Sequence, residues 1–185
     1  SDWSAPDPES NVTLLDAMGQ ARVIYVTGDI SPTITGFQIT GGSAAGLLGA
    51  TFDLDVGGGV YVITSTAVIS GNRIYGNDAE AGGGLALYRT GASLNSNTIL
   101  SNTADYGAGG YLYESQATVT GNTISGNAAR IGGGAGMAVN SGSLVLTSNT
   151  FEDNRATADS WARGAGLSVY DSAATVVDNR FLCNS

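Results

Sequence analysis

Histidine and lysine are both absent from the 185 residues, and cysteine occurs once, as Cys183. Without histidine, the Ser-His and Cys-His nucleophile systems and His-based zinc sites are excluded, and lysine-based chemistry goes the same way. A single thiol allows no internal disulfide framework; near the C-terminus it reads as a small buried hydrophobe, with pairing between chains as the alternative. The seven basic residues, all arginine, face sixteen acids, for a net charge of −9 and a pI near 4.1. That balance argues against nucleic acid and anionic membrane surfaces as partners, because both need a basic surface. No apolar run approaches the roughly 18 to 20 residues of a membrane-spanning helix. No basic-then-apolar leader opens the chain, and a start at Ser1 without Met suits a processed, exported protein. Residues 1–10, with Pro6, Pro8 and three acids, read as an extended arm.

What is abundant is glycine, with 28 residues, and it is periodic. Gly59, Gly84, Gly109, Gly136 and Gly166 each close a glycine-rich cluster. Each is followed at fixed spacing by a first asparagine (Asn72, Asn97, Asn122, Asn149, Asn179) and by a second (Asn77, Asn102, Asn127, Asn154, Asn184). Ile74, Ile99, Ile124, Phe151 and Phe181 stand two residues after the first asparagine. All variation in repeat length falls between the second asparagine and the next glycine, so the rung core is constant and insertions collect in one loop. Apolar residues alternate after each glycine, as in Val60 and Val62, Leu85 and Leu87, or Leu167 and Val169, which marks strands rather than helices.

Each repeat therefore reads as three short strands separated by turns. Such a unit cannot bury its apolar face alone and must stack on its neighbours about 4.8 Å away. The expected fold is all-β: a parallel β-helix solenoid of about six rungs with uncapped ends. The asparagine columns become stacked ladders, each side chain bonding the rungs above and below, and asparagine also suits the left-handed backbone of a tight corner. The segment from Thr33 to Gly42 aligns with Val68 to Asn77, with Phe37 and Gly42 in the asparagine places, and Ile24 to Val26 aligns with Val60 to Val62. One domain over 11–185 is expected, with degenerate rungs over 11–56 and regular repeats over 57–185. Leu14 to Met18 reads as a helical turn.

The Gly-Asn-x-Ile-x-x-Asn and Gly-Gly-Gly-Leu/Val motifs resemble the right-handed parallel β-helix repeats of secreted bacterial proteins in the broad pectate-lyase-like superfamily. Residues 20–42 resemble the lead-in of surface β-helix proteins from filamentous bacteria. The resemblance implies the fold and an extracellular, cell-surface location. It does not choose among lyases, hydrolases, epimerases, adhesins and stalks, which share the scaffold. The Asn-Thr-Asp, Asp-Asp and Gly-His-Gly signatures of β-helical pectin hydrolases are absent, so the resemblance carries over no catalytic residue.

The best carboxylate constellation is an outward column of Arg89, Glu114, Ser141 and Asp171, in which Glu114 and Asp171 stand two rungs, about 10 Å, apart. Inverting glycosidases use carboxyls up to about 9.5 Å apart, so the pair lies at the edge of that window. The acids Asp53, Asp55, Asp153 and Asp159 lie in loops without the dense oxygen spacing of a calcium loop, and neither metal nor cofactor is expected. Tyr61, Tyr88, Tyr111, Tyr113 and Tyr170, joined by Tyr25, fall on one sheet face, a strip suited to stacking on sugar rings or to lateral contact. Phe181, Leu182 and Cys183 at one end, with Leu14 and Leu15 at the other, are candidates for head-to-tail stacking of copies. The expected role is structural or adhesive rather than enzymatic: a filament-forming solenoid, with a polysaccharide-binding stalk or a polysaccharide-active enzyme as alternatives.

Overall fold

A computed structural model describes residues 12–49, 53–157 and 164–185. The proposed arm over 1–10 and Asp159 lie outside the described residues. The chain winds into a solenoid of parallel strands, and no helix occurs among the described residues. The first sheet contains Ile24–Thr27, Val60–Ile63, Leu85–Tyr88, Gly110–Tyr113, Met137–Asn140 and Leu167–Tyr170, paired in that order. The second contains Thr33–Thr35, Thr66–Ser70, Gly91–Asn95, Gln116–Thr120, Ser143–Thr147 and Ala173–Val177. The third runs from Leu14–Asp16 through Gln38–Thr40, Arg73–Tyr75, Thr98–Leu100, Thr123–Ser125 and Thr150–Glu152 to Arg180–Leu182. Besides the three strands expected per rung, a fourth, short ladder of Thr103–Ala104, Ala128–Ala129 and Arg155–Ala156 follows the second asparagine.

Register is one residue opposite one residue throughout, Ile74 on Ile99 on Ile124 on Phe151 on Phe181. Because the side-chain period is two, this register puts each alternating apolar set on the solenoid axis and makes continuous stacks, including Phe151 on Phe181 at 4.8 Å. The degenerate rungs pair as aligned, Ile24 with Val60 and Thr33 with Val68. Leu14 to Asp16 is a strand rather than the expected helical turn. It pairs with Gln38–Thr40, and Leu15 packs against the core cluster. The alternation that half-buries Leu15 and exposes Leu14 and Asp16 fits a strand and not a helix.

The corners correct the expectation for asparagine. None of the ladder asparagines has a positive φ; the left-handed residue is the one before each, Gly71, Ser96, Gly121, Ser148 and Asp178 in one column and Gly76, Ser101, Gly126, Asp153 and Cys183 in the other. The turn is thus made one residue early, which aims the carboxamide inward. The column-defining glycines are needed for close approach: a Cβ on Gly84 would lie 2.6 Å from the carbonyl oxygen of Gly109 and 2.9 Å from Asn102 Nδ2. Any larger residue would push rung from rung and crowd the ladder.

Candidate functional site

The outer face of the first sheet carries two columns. Tyr25, Tyr61, Ala86, Tyr111, Ala138 and Ser168 form one, and Thr27, Ile63, Tyr88, Tyr113, Asn140 and Tyr170 the other. Tyr25 stacks on Tyr61 at 5.5 Å, Tyr88 on Tyr113 at 5.1 Å and Tyr111 on Tyr113 at 6.5 Å. The strip is therefore a stacked array, but its two halves differ in access. Tyr61 and Tyr88 are buried, in a second apolar cluster with Val56, Ala81 and Ala86 against which Leu54 packs. The segment that covers them is pinned. Arg22 donates to the carbonyls of Val56 and Leu48, each at 2.7 Å, and its guanidinium lies over Tyr61. Asp55 accepts from the Gly46 and Leu48 amides at 2.6 and 2.9 Å. That use of its carboxylate gives Asp55 a structural role.

Toward the C-terminal rungs the face opens. Where Ala138 and Ser168 follow Tyr111 in its column, the surface drops by the bulk of a ring. The resulting groove, about 630 Å³, is lined by Tyr106, Tyr111, Tyr170, Ile131, Asn140 and Ser168 among others, and none of the described lining side chains is charged. Its volume falls in the range of small-molecule sites. Burial pushes the Tyr111 phenol up, and an Asn140 hydrogen bond only partly offsets this, so Tyr111 is a neutral hydrogen-bonding group at ordinary pH. Tyr111 and Tyr170 are thus brought to one groove, Tyr113 borders it, and Tyr61 and Tyr88 serve as its foundation.

The carboxylate column takes another position. Thr64, Arg89, Glu114, Ser141 and Asp171 all have positive φ, between 47° and 55°, and form the corner between the first and second sheets. Glu114 Oε2 accepts from Arg89 Nε at 2.5 Å, and this bond holds the Glu114 carboxyl below its ordinary value. Glu114 is therefore an ionised partner of an arginine and poorly suited to donate a proton. Asp153 is likewise a corner residue.

Two features escape a reading of the repeat by its asparagines. Ser65, Thr90, Ser115 and Ser172 sit one residue after the carboxylate corner and make a hydroxyl column. Ser115 Oγ accepts from the Thr90 amide at 3.3 Å and donates to the Tyr113 carbonyl at 2.9 Å, and Ser172 Oγ accepts from Gly142 at 3.0 Å. The fixed spacing from the glycines is its signal in the sequence. Arg130 reaches across two rungs to Asp105 at 2.6 Å and Asp78 at 2.5 Å, a clamp with no repeating counterpart to reveal it.

At the ends, Phe181 is 45% exposed and Cys183 is exposed, so the thiol is not the buried hydrophobe expected. Leu182 alternates with Phe181 and lies on the lateral face of the third sheet. A family model described as the right-handed beta helix region matches residues 22–185. The chain belongs to that family. Neither a curated protein nor a solved structure matches it. As a right-handed β-helix, the fold supports a structural or carbohydrate-related module.

Proposed function

We propose that this right-handed β-helix is a non-catalytic, extracellular structural module that holds a neutral polysaccharide in the groove on its first sheet. The observation that carries the reading is the uncharged, tyrosine-lined groove of about 630 Å³. Stacked rings offer flat apolar faces to the C–H faces of sugars, while Asn140 and Ser168 offer hydrogen bonds to hydroxyls. A uronic-acid polymer fits less well, since the described lining carries no cation and the chain carries −9. The acidity and the resemblance of residues 20–42 to surface proteins support a place outside the cell.

The test is an affinity screen against neutral and acidic linear polysaccharides. Binding to a neutral glycan that falls at least about tenfold in Tyr111→Ala and Tyr170→Ala supports the reading, consistent with about 1.4 kcal/mol per decade. Glu114→Gln and Asp171→Asn are expected to leave binding unchanged. Release of reducing ends that depends on Glu114 or Asp171 would replace this reading with an enzymatic one.

In a second reading, copies of the solenoid continue the one-to-one strand ladder end to end. Copies stacked head to tail would form a surface fibre whose subunits repeat every six rungs, about 30 Å. Electron microscopy of the protein tests it: fibres in wild type that disappear in Phe181→Arg support the reading, and dispersed particles at all concentrations remove it.

A further inference from the structure

The second sheet presents a face unlike the rest of the molecule. Its outward positions, from Thr33 and Thr35 in the first rung to Ala173, Thr175 and Val177 in the last, hold only Thr, Ser, Val, Gly, Ala, Asn and Gln. Not one is charged, in a chain with sixteen acids and seven arginines. The charges surround this face instead. Arg89, Glu114 and Asp171 mark its border with the first sheet, Asp178 its border with the third, and Arg73 and Glu152 lie on the third sheet itself.

The face is also flat. From Thr66–Ser70 to Ala173–Val177 five-residue strands pair one to one without interruption. Val68, Val145 and Val177 are 40%, 45% and 45% exposed on it. Some hydroxyls are already paired within the face, Ser31 with Thr66 at 2.9 Å and Ser70 with Thr35 at 3.3 Å, which lowers the cost of removing water.

The composition eliminates partners in turn. The face has no cation for nucleic acid or lipid headgroups, no aromatic ring for sugar, and no large apolar side chain for a bilayer. What it offers is a surface across which two copies of an acidic molecule can meet without opposing like charges. We propose that the outer faces of the second sheets of two copies pack together about a two-fold axis, giving a back-to-back dimer of solenoids. An isologous contact would cover this face with itself.

Six strands spaced about 4.8 Å, each about five residues of 3.3 Å, make a footprint of about 480 Å² per copy. Two such footprints fall below the roughly 1,200 Å² of a standard specific interface, so the dimer is weak and appears in the micromolar-to-millimolar range. Salt strengthens it, because the −9 on each copy repels the other and added ions screen that repulsion. The inference is independent of the sugar-binding groove, which lies on a different sheet.

Sedimentation equilibrium over that concentration range, at low and high salt, tests it. The expected result is a reversible monomer–dimer equilibrium that tightens with salt. It should weaken at least about tenfold in Val145→Glu and in Thr118→Glu, each of which sets like charges against each other across the contact. Tyr170→Ala should dimerise as wild type does. Ser93 and Thr118 lie on the two central strands of the sheet. In a Cys183→Ser background, Thr118→Cys should therefore cross-link with a short bis-maleimide, while Ser125→Cys on the third sheet should not. Circular dichroism confirms that each variant keeps its strands. A monomer at every concentration and salt, or a dimer indifferent to both charged variants, overturns the proposal.

Discussion

Each interior asparagine makes the connections of two residues. Asn97 Oδ1 accepts from the Asn72 amide at 3.0 Å and from Asn72 Nδ2 at 3.1 Å, while its own Nδ2 donates to the Ile69 carbonyl at 2.8 Å and to Asn122 Oδ1 at 3.0 Å. Truncating it strands several buried polar groups in the rungs on either side, each costing about 1–3 kcal/mol. Asn97→Ala is therefore expected to lose about 3–5 kcal/mol in urea unfolding, against about 1 kcal/mol for the half-buried terminal Asn184. The sequence shows these columns plainly because one residue type recurs at fixed spacing. It hides the left-handed corner residues beside them, since Gly71, Ser96 and Asp178 share a backbone conformation and no side-chain chemistry. Thr64 is the most strained of the corner residues, a β-branched side chain at φ 52°. Thr64→Gly is expected to raise the unfolding free energy by about 0.5–1 kcal/mol, less than the left-handed penalty alone because glycine also loosens the unfolded chain.

At the level of the strand and its loops, the groove exists because one column alternates tyrosine with alanine and serine. Ala138→Tyr should fill it by stacking on Tyr111, abolishing glycan binding while leaving thermal stability close to wild type. Calorimetric titration and a melting curve together check this. The described lining holds no histidine, cysteine or carboxylate, and the Tyr111 phenol is displaced upward, so affinity should be flat between about pH 6 and 9 and fall only when that phenol ionises. The Arg89–Glu114 pair responds at the other extreme. A depressed carboxyl stabilises the fold above its unfolded value, and this contribution disappears as pH falls through the lower folded value. Period-two alternation was enough to place six tyrosines on one face. It did not show that Tyr61 and Tyr88 would be covered, because that depends on a non-repeating segment held by Arg22 and Asp55.

Across the whole molecule, contacts run from rung to rung, so stability is close to a sum over neighbouring interfaces. Removing residues 85–109, one complete 25-residue repeat by the Gly84 to Gly109 spacing, should rejoin equivalent positions and leave a folded, shorter solenoid. Strand content by circular dichroism would persist, and the melting temperature would fall by several degrees, as about 2–4 °C per kcal/mol implies. Removing twelve residues instead should destroy the fold, because sheets would then face the wrong neighbours. Rung number and register were legible in the sequence; the uncharged lateral face is spread over the strands of six repeats and exists only once the solenoid stacks them.

The carboxamide columns also have an arrow. Every link runs the same way, from an amide or Nδ2 of one rung to the Oδ1 of the next, and the final acceptors are Asn179 and Asn184. Toward the N-terminus the columns close on the Phe37 and Gly42 amides, which bring no carboxamide of their own. The solenoid is vectorial in its chemistry, each carboxamide oxygen serving the rung before its own.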